Sequence, residues 1–185
     1  MISCKQEEII NKLVDDIILK INLQNSYDFD ESIGLAFVPI KPIDKCEQFF
    51  NKLSYSLSDK KIKILSVDMG EPEENNLYSK ECIKGVKQQI NCSLQDRINL
   101  SYFINHPVEY VKLLENEELK DLFKKYDLVL FKYNINIFEK IPHVVHLYKD
   151  FILMMNKKQI YRKELEKIKR MNELYQFNYV STIIM

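Results

Sequence analysis

Ile62-Lys63-Ile64-Leu65-Ser66-Val67 runs into Asp68-Met69-Gly70-Glu71-Pro72-Glu73-Glu74-Asn75-Asn76-Leu77, and this stretch decides how the chain is read. It has the form of an apolar strand, a loop and then a helix expected over about 76–90. In such a unit a nucleotide-binding protein carries G-x-x-x-x-G-K-[ST], whose backbone amides and lysine cradle phosphate. Counting from Gly70, the second glycine falls on Asn75, the lysine on Asn76 and the hydroxyl residue on Leu77. Glu71, Glu73 and Glu74 stand where phosphate would lie, and Pro72 removes one amide donor. A glutamate about 7 Å from a phosphate charge costs roughly 2–3 kcal/mol at an effective dielectric near 20. The unit has the pattern of a nucleotide site without its residues.

Outward from this stretch, helical and strand-like patterns alternate. Ile10, Leu13, Val14, Ile17, Ile18 and Ile21 mark an amphipathic helix over 5–22, and an Asn- and Asp-rich loop follows through Asp30. Leu35 to Ile40 reads as a short strand, and about 43–57 as a helix with Phe49, Phe50 and Leu53 inward. Further strands are expected at Ile98–Phe103, Tyr126–Phe131, Phe151–Met155 and Tyr179–Ile184. Between them lie a helix capped by Asn105 with Pro107 in its first turn, a short helix near 137–148, and a charged helix to about Tyr175 capped by Asn156 and Gln159. Apolar strands alternating with helices predict an α/β domain with a largely parallel sheet.

The chain has 185 residues, enough for one domain with a sizeable core. Lys plus Arg and Asp plus Glu both number 27, so no net field draws in nucleic acid or an anionic membrane. Cys4, Cys46, Cys82 and Cys92 lack C-x-x-C spacing and are expected as free thiols. The first residues carry no apolar signal region, and no stretch approaches the roughly 20 apolar residues of a membrane span. The expected location is cytoplasmic.

Several short segments then line up with one family. Ser58 to Leu65 matches a first core strand, and Asn105-His106-Pro107-Val108-Glu109-Tyr110 with Leu114 matches an N-P-x-E-L-L segment. Lys125-Tyr126-Asp127-Leu128-Val129-Leu130-Phe131 matches an R-Y-D-x-V-I-I strand, Lys157 to Arg170 a last helix, and Val180 to Ile184 a final strand. Over roughly 34–185 the order of elements resembles the cytoplasmic kinase domain of bacterial tyrosine kinases. These belong to the P-loop ATPase group that includes MinD and ParA, and they serve capsule and exopolysaccharide export. The resemblance implies a Walker B aspartate after Phe131, where this chain has Lys132. An E-x-x-R-x-x-R oligomerisation helix would fall on Lys45, Gln48 and Asn51, none of which matches, and no C-terminal tyrosine cluster is expected. Val67-Asp68 is open to a second reading as the Walker A′ strand, in which case the phosphate loop is absent altogether.

Other clusters carry weaker chemistry. His143 and His146, with Glu139 nearby, have i, i+3 spacing but no further ligand to complete a metal site. The basic run from Lys157 to Arg170 is broken by Glu164 and Glu166 and reads as an exposed helix face. The acidic loop lacks calcium-loop spacing, though it follows a strand's carboxyl end, where α/β sheets bind ligands.

The expected fold is α/β, a mainly parallel sheet with helices on both faces, in a P-loop-ATPase-like three-layer sandwich. It forms one domain over 1–185, with an N-terminal helix over 1–22 and a core over 34–185. The expected function is non-catalytic and works through protein–protein contact, with polysaccharide export or its regulation as the context the resemblance implies. The alternative is an ATP-binding tyrosine kinase or ATPase with a rebuilt, metal-dependent site. No catalytic residue, cofactor or metal ligand is expected. The expected interaction or ligand loop is Asp68, Gly70, Glu71, Glu73 and Glu74. Its partner would be a protein (a membrane-associated complex, an active paralogue or a second copy), with no nucleic acid and no membrane insertion.

Overall fold

Ile10, Leu13, Val14, Ile17 and Ile21 form the buried stripe of α1 (Cys4–Ser26), because three- and four-residue spacing brings them onto one helical face. In the computed structural model the described residues are 4–26, 33–39, 46–69, 88–92, 95–99, 117–133, 150–155, 161–176 and 178–184. The chain continues through β1 (Ile33–Pro39), α2 (Cys46–Asp59), β2 (Ile64–Asp68), β3 (Gln88–Cys92), β4 (Gln95–Asn99) and α3 (Glu117–Phe123). It ends with β5 (Leu128–Lys132), β6 (Asp150–Met155), α4 (Arg162–Tyr175) and β7 (Asn178–Ile184).

The seven strands form one sheet in the order β3-β4-β2-β5-β1-β6-β7. Six run parallel, and β3 lies antiparallel on β4 at the edge. Strands β1, β2, β5 and β6 are almost wholly apolar and buried, as strands covered on both faces must be. On one face α1 and α2 pack Ile10, Ile17, Phe49, Leu53 and Leu57 against Leu35, Phe37, Ile64, Leu130 and Met154. On the other, Phe123 of α3 meets Phe131 edge-on, with ring centroids 6.0 Å apart. Ion pairs Lys20–Asp150 and Glu7–Lys52 tie α1 to β6 and to α2 at the rim.

Some boundaries differ from those the sequence suggests. Helix α1 runs on through Ser26. Residues 88–90, expected at the end of a helix, belong to β3, and the strand expected from Ile98 begins at Gln95. Helix α4 is capped at Tyr161, without a side-chain cap bond, and not by Asn156 and Gln159. The expected helix near 137–148, with Glu139, His143 and His146, lies outside the described residues, as do Asn105, Pro107 and residues 76–87. Cys46 is a buried free thiol.

The end of α2 carries a local cost. Lys61 has φ 65°, and its amide and that of Lys60 close the last turn onto Ser58 and Leu57. A side chain is disfavoured in this left-handed position, where helices commonly place glycine. Lys61→Gly is therefore expected to raise stability by about 0.5–1 kcal/mol, read by urea unfolding. A loss of stability would contradict the left-handed turn.

Candidate functional site

Strand order locates the site. From β1 the chain steps past the place of β5 to β2 and then outward to β4; it returns to lay β5 between β2 and β1, then crosses β1 to β6. The chain thus moves in opposite directions from β1 and from β5, and this switch point is where α/β sheets receive ligands, in the crevice at the carboxyl ends of the strands.

The strand order offers a second place for a phosphate loop. Of the two strands that flank β5, β1 is the one followed by a described helix: it ends at Pro39, and α2 begins at Cys46. Strand β2, which the glutamates follow in the sequence, lies on the other side of β5. Setting the hydroxyl position of G-x-x-x-x-G-K-[ST] on Cys46 puts its lysine on Lys45 and its glycines on Asp44 and Pro39. Only the lysine agrees. In the sequence the glutamates therefore follow β2 and not the strand that leads into α2. Residues 40–45 lie outside the described residues, and so do Gly70, Glu71, Glu73 and Glu74. Of the expected loop, Asp68 alone is described, as the last residue of β2.

Asp68 has a partner that sequence reading did not provide. In the parallel pairing of β2 with β5, Asp68 stands opposite Lys132. Both side chains project toward the α2 side of the sheet, since Leu128 and Leu130 at the same alternation belong to that core. Asp68 Oδ2 and Lys132 Nζ are 3.5 Å apart, with the lysine side chain 3% exposed and the aspartate 15%. Lys132 Nζ also lies 5.8 Å from the centre of the Phe50 ring, within cation–π range. Phe50 in turn meets Phe37 of β1 edge-on at 5.5 Å.

The surrounding frame holds this arrangement in register. At the carboxyl end, the Met69 amide donates to the Lys132 carbonyl at 2.8 Å, and the Tyr133 amide donates to the Phe37 carbonyl at 3.1 Å. At the opposite end, the Lys63 amide donates to Asp127 Oδ2 at 2.8 Å, while the Asp127 amide donates to the Lys63 carbonyl. Asp127, the acid of the K-Y-D segment, therefore splices β5 to β2. The first turn of α2 is seated by Cys46, whose Sγ lies 3.3 Å from Met154 Sδ on β6.

At 3.5 Å and an effective dielectric near 20, the attraction within the pair is about 5 kcal/mol, set against the cost of taking both charges out of water. The net effect on stability is smaller than either term. The chemical consequence is clearer: the crevice contains a fixed positive charge that already has its carboxylate. One signal for it was present in the sequence, a lysine ending the apolar run Leu128-Val129-Leu130-Phe131.

Sheet order, helix placement and crevice define an α/β protein with the fold of the P-loop ATPases. Among solved structures, the BceF tyrosine kinase domain is similar with a TM-score of 0.65 at 13% identity, covering 95% of this chain and 76% of that one. The kinase domain of Escherichia coli tyrosine kinase ETK gives 0.60 at 18% identity, covering 90% and 72%. A ParA family ATPase from Chlorobium tepidum TLS gives 0.54 at 15% identity, covering 85% and 74%. The neighbours are thus the tyrosine kinase domains and ParA-like ATPases that the sequence resembles, and at these identities the likeness is one of fold. No family model and no curated protein matches the sequence. Among the described residues, no helix is long and apolar enough to cross a membrane.

Proposed function

We propose that this chain is a non-catalytic protein on a P-loop-ATPase-like scaffold, acting by contact with another protein. The observation that carries the reading is Lys132: a buried lysine, paired with Asp68, ends the strand where the resemblance expects a Walker B aspartate. The absence of both glycines between Pro39 and Cys46 supports it, because close backbone approach to phosphate needs them. The context we infer is polysaccharide export or its regulation, in the cytoplasm, with a membrane-associated complex, an active paralogue or a second copy as partner. Asp68, Gly70, Glu71, Glu73 and Glu74, at the carboxyl edge of β2, are the proposed contact loop.

The test is thermal unfolding of the whole chain with millimolar Mg-ATP, Mg-ADP and Mg²⁺ alone. A ligand at about 100 times its dissociation constant adds about 2.7 kcal/mol, a shift of several degrees for a chain of this size. No shift with nucleotide is the expected result. A shift that requires both metal and nucleotide would replace this reading with that of an ATP-binding kinase or ATPase using a rebuilt site.

A further inference from the structure

We infer that the Lys132 ammonium is the built-in cation of the crevice: it fills, with a charge carried by the chain, the place beside Asp68 that a divalent cation would otherwise take. Three observations support this. Asp68 and Lys132 are direct cross-strand partners on the same face, so whatever group stands at 132 is brought to the Asp68 carboxylate. Lys132 is buried and Asp68 is 15% exposed at the carboxyl end of an inner strand, where a carboxylate largely withdrawn from water is stabilised by a cation, either a side chain or a metal. The ammonium also lies over the Phe50 ring, a wall that suits a partly dehydrated ammonium and offers no oxygen to a hard metal ion.

Because the charge is tethered, its occupancy does not depend on ion concentration, and the crevice stays neutralised with no metal present. A carboxylate at 132 would reverse the chemistry, since two acids at paired positions on neighbouring strands can share one hard divalent cation. The inference goes beyond the non-catalytic reading: it concerns how the crevice is neutralised, and not what the protein contacts.

The experiment compares the whole chain with Lys132→Asp, Lys132→Met and the double variant Asp68→Asn/Lys132→Met. Each is titrated with MnCl₂ and MgCl₂ and followed by melting temperature and by the electron paramagnetic resonance of free Mn²⁺. The wild-type chain is expected to bind no Mn²⁺ and to melt unchanged. Lys132→Asp should melt lower without metal, then recover by several degrees as Mn²⁺ is taken up. Lys132→Met should take up Mn²⁺ more weakly, and Asp68→Asn added to it should abolish that uptake. Mn²⁺ uptake by the wild-type chain that Asp68→Asn removes would overturn the inference, as would a folded Lys132→Asp that ignores metal. Should Lys132→Asp fail to fold, Lys132→Met decides: uptake no greater than wild type overturns the inference. These outcomes leave the non-catalytic reading untouched, because that reading is decided by the wild-type response to Mg-ATP.

Discussion

Asp68→Asn is expected to destabilise the folded chain by about 3–5 kcal/mol, the range for removing one partner of a buried ion pair. The variant removes the carboxylate that pairs with the Lys132 ammonium, whose side chain is 3% exposed. Lys132→Met should cost less, because the Asp68 side chain is 15% exposed and its carboxylate regains some hydration. Replacing both residues removes both charges, so Asp68→Asn/Lys132→Met should recover much of the single-variant loss. Urea unfolding of the four proteins forms a double-mutant cycle whose coupling term is the measurement. A loss below about 1 kcal/mol for Asp68→Asn would mean that Asp68 is not what holds the buried lysine.

Phe37→Ala is the second large effect, expected at about 3–5 kcal/mol, the usual cost of truncating a buried phenylalanine. Phe37 is fully buried on the inner strand β1, packed edge-on against Phe50 and surrounded by the α1–α2 core. For a chain of this size that loss corresponds to a melting point lower by roughly 6–20 °C. Tyr55→Ala provides the contrast: Tyr55 lies on α2 but is 62% exposed, so its loss should stay within about 0.5 kcal/mol. Equal effects at the two positions would refute the placement of β1 as an inner strand covered by the α1–α2 core. Phe37→Ala also loosens the wall beside Lys132, so its cost and that of Asp68→Asn should not simply add.

How far the fold could be read in the sequence varies from element to element. Leu128 to Phe131 is apolar at every position, and a continuous apolar run too short for a helix of its own is the pattern of a strand covered on both faces. Helix α1 was equally plain, because its stripe repeats with helical period over several turns. Strand β3, Gln88-Gln89-Ile90-Asn91-Cys92, was not legible. Its residues are mostly polar, it pairs on one side only, and nothing local separates it from the helix pattern before it. Which strand would carry a phosphate loop is not legible for a similar reason. Both β1 and β2 are short apolar runs followed by a helical pattern or a glycine loop, and periodicity says nothing of where each lies in the sheet.

The sequence by itself determined the alternation of strands and helices, the burial of the central strands and the departures from the phosphate-binding motif. Each follows from residue type and local spacing. Only the tertiary structure decided that β5 is central with β1 and β2 beside it, that the switch in connection direction falls between β1 and β5, and that Lys132 faces Asp68 across 64 positions of chain. Those facts depend on which strands pair and in what register. Pairing is a long-range choice, settled by burying both faces of the whole sheet at once, and no window of neighbouring residues contains it.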